Sequence, residues 1–141
     1  RSVAANIATR LIQLHFAGFC LLVGLNMLAG DVWWAGEGVW WLIARTESPL
    51  TDLSVLAHWP LLINLWTHMI VAFHLVFGLL AWHPLARPLL IVCGFGIWVS
   101  MALITGLLAW CGMMMVASLA FVDPQWLGRW FMRNADDGAD R

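Results

Sequence analysis

A 26-residue apolar run, Val3 to Leu28, ends in the stretch Gly24–Trp41, GLNMLAGDVWWAGEGVWW. As a helix the run is roughly 39 Å long at about 1.5 Å per residue, enough to cross a bilayer with tilt. The stretch that follows carries the pairs Trp33-Trp34 and Trp40-Trp41, with Gly30, Gly36, Gly38, Asp31 and Glu37 between and beside them. Tryptophan settles where one end is apolar and the other wet, so this cluster marks a membrane–water boundary. Few alternatives to a helical membrane protein remain. With 62% hydrophobic and 11% charged residues, the chain lies far from the balance of soluble domains.

The same counts exclude nucleic-acid partners: every basic residue is arginine, and they form no cluster that would hold phosphates. Cys20, Cys93 and Cys111 are far apart inside apolar runs, without metal-ligand or disulfide-framework spacing, and read as small buried hydrophobes. Met113-Met114-Met115 reads as apolar filling, and no metal site is expected.

Periodicity places four spans, at about 3–28, 61–82, 89–104 and 107–122, with an interfacial segment at 29–59 and a tail at 123–141. The expected fold is therefore a single all-α membrane domain, a four-helix bundle with a Trp-rich external segment between the first two spans. On the first span Arg10, Gln13, Ala17, Cys20, Gly24 and Met27 share one arc, with His15 and Asn26 nearly opposite. Small residues at 17, 20 and 24 allow a neighbouring helix to come close, and Arg10 is near enough to the end to snorkel. Val39–Ala44 is too short to cross and reads as an interfacial helical turn. Pro49–Asp52 reads as a turn, with Thr51 or Asp52 capping a short helix. His83-Pro84 and Arg87-Pro88 make the tight turn to the third span, and Thr105-Gly106 ends it. The short amphipathic piece holding Arg129 and Arg133 follows the fourth.

The second span carries most of the intramembrane polarity. Asn64, Thr67, His68, Val71 and His74 share an arc of about 120° that is expected to face the bundle. Two readings of its histidines stand: a functional pair, or neutral imidazoles hydrogen-bonding between helices. Candidate catalytic groups are His68, His74, Asp31 and Glu37; candidate ligand-binding groups are Asn64, Thr67, His68, His74, Met27 and Trp33. The other spans offer little polarity beyond Arg10, Gln13, Ser100, Thr105 and Ser118. Partners from outside the chain are therefore expected, as further transmembrane helices from a preceding half, another subunit or a second copy. The chain begins at Arg1 and is expected to be a fragment or a processed product. Arg1, Arg10, Arg87, Arg129, Arg133 and Arg141 fall on one side of a four-span topology, and Arg45 alone on the other. By the positive-inside rule both termini are cytoplasmic and 29–59 is external, with a bacterial inner membrane as the expected location.

In their order, these residues resemble the C-terminal half of the HTTM module, the membrane part of the vitamin K-dependent γ-glutamyl carboxylases and their bacterial relatives. The pieces are Gln13, Gly24-Leu25-Asn26-Met27-Leu28, Trp33-Trp34-Ala35-Gly36, His74, Arg87-Pro88, Trp98, Trp110, Met115-Val116-Ala117-Ser118 and Pro124-Gln125-Trp126, spanning roughly residues 3–127. The resemblance implies a quinone or vitamin K ligand and earlier spans that also supply catalytic groups. The departures fall on the chemistry. The family's catalytic lysine, a base whose burial frees its lone pair, is Met27 here, the acid of the second span is His74, and the histidine of the third is Trp98. An accessory or lipid/quinone-binding subunit without carboxylase activity is the first expectation. The alternatives are a membrane enzyme acting on a quinol or lipid-like substrate through His68, His74, Asp31 and Glu37, and a b-type haem protein using His15 with His68 or His74.

Overall fold

The computed structural model describes residues 3–45 and 52–122, and these form helices joined by short turns, with no strand among them. The elements are α1 (Val3–Leu28), α2 (Asp31–Trp34), α3 (Gly38–Arg45), a 3₁₀ turn (Ser54–His58), α4 (Pro60–Leu80), α5 (Ala86–Thr105) and α6 (Leu108–Leu119). Three of them, α1, α4 and α5, are long and apolar enough to cross a membrane. The expected boundaries of the first span match α1 at both ends. The helix α5 starts three residues before the expected 89, taking in Arg87-Pro88. Proline is tolerated in a first turn because the N–H it lacks has no partner there in any case. Gly106, in the left-handed region at φ 70°, closes α5 as expected from Thr105-Gly106.

The expected fourth span is shorter than its apolar run. α6 has 12 residues, or roughly 18 Å at about 1.5 Å per residue, against a hydrocarbon core of about 30 Å. The Pro49–Thr51 part of the expected turn and everything from Asp123 onward lie outside the described residues. Within them, Asp52 Oδ1 accepts from the Ser54 amide at 2.9 Å, opening the 3₁₀ turn, and the Ser54 hydroxyl and amide together hold its carboxyl below the usual range.

α1 and α4 pack antiparallel over most of their length, and glycine sets their separation. A Cβ at Gly24 would lie 2.9 Å from Leu75 Cδ2, and one at Gly78 would lie 2.7 Å from Leu21 Cβ and 3.0 Å from Leu21 Cα. Each helix thus offers a glycine to the other's leucine, two such contacts about one turn apart. With no hydrophobic drive between helices in lipid, such close van der Waals approach is what holds the pair. Of the arc expected on α1, Gln13, Ala17, Cys20, Gly24 and Met27 are buried, joined by Phe16, while Arg10, near the helix start, is exposed. His15 and Asn26 are exposed opposite it. Cys20 and Cys111 are buried, but Cys93 is exposed; it lies on the outer side of α5, where lipid solvates an apolar side chain as well as protein does.

The lower core is a cluster of rings. Phe16 meets Phe77 edge-on at 5.1 Å, Phe121 meets Phe77 at 5.2 Å, and Trp82 meets Phe121 at 5.7 Å. Alongside it, Arg10 Nη1 donates to Gln13 Oε1 (3.1 Å), and Gln13 Nε2 donates to the Ala120 carbonyl (2.7 Å). That carbonyl lies just past the last turn of α6, where backbone acceptors have no helical partner. α6 therefore returns to the level at which α1 holds Gln13 and α4 ends.

Candidate functional site

Polar residues on α4 hold down the Trp-rich segment. Asn64 Nδ2 donates to the carbonyl of Ala35 (3.1 Å), the C-cap residue of α2. One turn on, Thr67 Oγ1 accepts from the amide of Val39 (3.1 Å), the second residue of α3, while its hydroxyl donates to the Ile63 carbonyl (2.8 Å). Both backbone groups are left without helical partners at helix ends, so α4 caps α2 and α3 from the side. Gly36, between the two short helices, has φ 80°, and a Cβ there would run into the Asn64 amide and come within 2.9 Å of His68 Cε1. Only glycine takes that backbone conformation without strain and fits the space. Trp33 folds back over Gly38, where a Cβ would strike its six-membered ring. The expected demand of Asn64 and Thr67 for polar partners is thus met inside the chain.

This docking leaves a cleft of about 610 Å³ between the segment and the first turns of α4. Its walls are the Trp40 and Trp41 indoles; Ala35, Gly36 and Ala44 line it from the segment, and Pro60, Ile63 and Asn64 from α4. Glu37 is the one formally charged residue lining it among the described residues. Trp41 also lines a second, smaller cleft of about 320 Å³ with Trp33, where the Arg45 guanidinium lies 4.5 Å over the Trp41 ring, a cation–π contact.

The expected site residues divide between these places. Glu37 and Asn64 line the large cleft, Trp33 the small one. His68 is exposed beside Gly36, not turned into the bundle as expected. It sits at the edge of the α4 arc, and α2–α3 covers the middle. Its Nδ1 donates to the Asn64 carbonyl (2.9 Å), which leaves Nε2 as the lone-pair nitrogen of the neutral ring. Asp31 is exposed at the start of α2 and lines neither cleft. Met27 and His74 are core residues, 8% and 2% exposed. His74 Nδ1 donates to the Ile70 carbonyl (2.7 Å), and its ring stands edge-to-face with Trp98 at 5.5 Å. Trp98 Nε1 is the one buried side-chain polar atom without a partner among the described residues.

His68 and His74 therefore do not converge on one substrate position. His15 is further away still: the Gly24–Leu75 and Leu21–Gly78 contacts set a register in which it stands about 15 Å along the axis from the level of His74, at about 1.5 Å per residue, and on the exposed side of α1. The sequence did not single out Trp40 and Trp41 as walls of a cavity, nor Arg45 as a partner of Trp41. The signal available was Trp41 four residues before Arg45, the spacing that brings side chains together on a helix. No family profile, curated protein or solved structure matches this chain.

Proposed function

We propose that this chain is the membrane-embedded, amphiphile-binding half of an HTTM-like protein without carboxylase activity. The observation that carries the reading is the cleft: a cavity with indole walls and one carboxylate, built where a Trp-rich segment folds against the first turns of a membrane-length helix. Such a place takes the head of a lipid-like molecule while its tail follows the helix into the hydrocarbon. A lipid or quinone suits it better than a solute, because Leu61, beside the cleft-lining Pro60, is exposed at the start of α4. Native mass spectrometry from lipid nanodiscs is expected to show one retained amphiphile per chain; bare protein across all lipid mixtures opposes the reading.

The absence of carboxylase activity rests on Met27. A thioether takes up no proton at any working pH, and the residue is buried in the α1 face, so nothing there deprotonates a hydroquinone. Incubation with reduced vitamin K and a glutamate peptide should give no carboxylation above empty membranes. Turnover would overturn this part of the account and would point to His68 as the base. An enzyme acting on a quinol or lipid-like substrate is the second reading, favoured by one observation: His68 presents a free ring nitrogen beside the cleft wall at Gly36.

In this reading α6 and its flanks complete a fourth crossing. Support comes from Gln13 and Phe16, which meet Ala120 and Phe121 at the end where α4 finishes and α5 begins. Both termini are then cytoplasmic, in a bacterial inner membrane, and the cleft opens outward, as the arginine split favours. A cysteine at exposed Val55 should react with an impermeant thiol reagent in intact cells; protection there, with labelling of a tail site, reverses the topology. Further helices, from a preceding half, another subunit or a second copy, are proposed to cover part of the surface that the three long helices leave open.

A further inference from the structure

We infer that the cleft between α3 and α4 selects the ammonium head of an aminolipid. The inference rests on the amphiphile-binding reading and names the head group. Three features carry it. Among the described residues the one charge lining the cleft is the Glu37 carboxylate, for which no ion pair is found among them, and its amide and carbonyl are occupied by the backbone bonds to Val32 and Trp41. Its acid group is thus free to accept charge-assisted hydrogen bonds from an ammonium. Beside it stand two indoles, Trp40 and Trp41, 36% and 40% exposed, whose faces attract cations through the ring quadrupole. Trp41 already holds one cation, Arg45, from the neighbouring cleft, so this surface binds positive charge within the chain itself.

The remaining lining is small or apolar apart from Asn64, whose amide is engaged by Ala35. A head group whose only charge is a carboxylate, sulfate or phosphate would meet Glu37 with nothing positive among the described lining residues to offset it. The occupant is a lipid rather than a free amine because the floor is Pro60 and Ile63, the first turns of α4. An ammonium seated at Glu37 leaves its acyl chains lying on Leu61, which follows the cleft-lining Pro60 and is 82% open.

The test is native mass spectrometry of the full chain released from nanodiscs of phosphatidylethanolamine and phosphatidylglycerol in equal amounts. The wild-type protein should retain phosphatidylethanolamine over phosphatidylglycerol by about ten-fold, the equivalent of one good cation–π contact with a charge-assisted hydrogen bond. Glu37→Gln should bring the ratio to near one while α-helical content and melting stay unchanged, since Glu37 is exposed and its side chain braces no element. Trp40→Leu should lower the ratio independently. Equal retention of both lipids by the wild type overturns the ammonium assignment and leaves amphiphile binding standing; no retained lipid of any kind overturns both. Displacement of the bound lipid by millimolar tetramethylammonium or ethanolamine, with tight retention of either amine alone, overturns the lipid source in favour of a free amine.

Discussion

Gly78→Leu is expected to separate α1 from α4 and cost about 3 kcal/mol or more, enough to leave little folded protein in detergent. The size of the effect follows from what a side chain at 78 would strike. A Cβ there lies 3.0 Å from both the Cα and the N of Leu21, and backbone inside a helix cannot rotate aside as a side-chain tip can. Either the helices part or the register slips, and slipping also dislodges Leu75 from Gly24. Gly96→Leu and Gly112→Leu are the controls, because a Cβ at either position meets nothing within 4 Å; each should stay within about 0.5 kcal/mol of wild type. Equilibrium unfolding in mixed micelles, followed by helical circular dichroism, measures all three. A Gly78→Leu protein as stable as the two controls would mean that α1 and α4 are not packed as described.

Gly36→Val should release the Trp-rich segment without unfolding the long helices. The substitution forces a β-branched residue to φ 80° and drives its Cβ into the Asn64 amide. The backbone strain alone costs about 1–2 kcal/mol. Displacing Asn64 and Thr67 from the Ala35 carbonyl and Val39 amide adds about 1 kcal/mol or more for each bond. The total, about 3–4 kcal/mol, falls on the docking of α2 and α3 and not on the α1–α4 pair. Proteolysis near residues 35–45 should therefore speed up by about a hundred-fold in detergent while helical content falls only slightly. Thr67→Val, which keeps the shape and removes the acceptor, should give a smaller effect of the same kind. If Gly36→Val protects the segment as well as wild type, the joint is not held by α4.

Much of this arrangement was legible in the sequence, and the reasons it was are specific. The buried arc of α1 follows from helical periodicity, because lipid does not disturb which side of a helix carries its small and polar residues. The end of α5 was legible at Gly106, whose left-handed conformation favours glycine. What the sequence hid was the partner of each face. Asn64 and Thr67 read as ligand-binding groups because no acceptor or donor in the other spans matched them. Their partners are backbone groups of α2 and α3, and backbone groups leave no mark in residue identity. Gly78 likewise has no signature until Leu21 is known to lie opposite. His68 and His74 are six positions apart on one arc, yet one is exposed and the other sealed among Phe73 and Trp98. A helical wheel gives direction and says nothing of which neighbour stands at which height. The short length of α6 was hidden because hydropathy continues through Val122 after the helix has ended at Leu119.

In the proposed function an amphiphile places its head between the Trp-rich segment and α4. A phospholipid carrying a photoactivatable diazirine next to its head group, reconstituted with the chain in nanodiscs, tests it directly by mapping cross-linked peptides. Adducts should concentrate on residues 35–44 and 57–64 and should fall at least several-fold in Gly36→Val, with Glu37 and Trp40 the main sites. Adducts spread evenly around the exposed faces of α1, α4 and α5, unchanged by Gly36→Val, would contradict it.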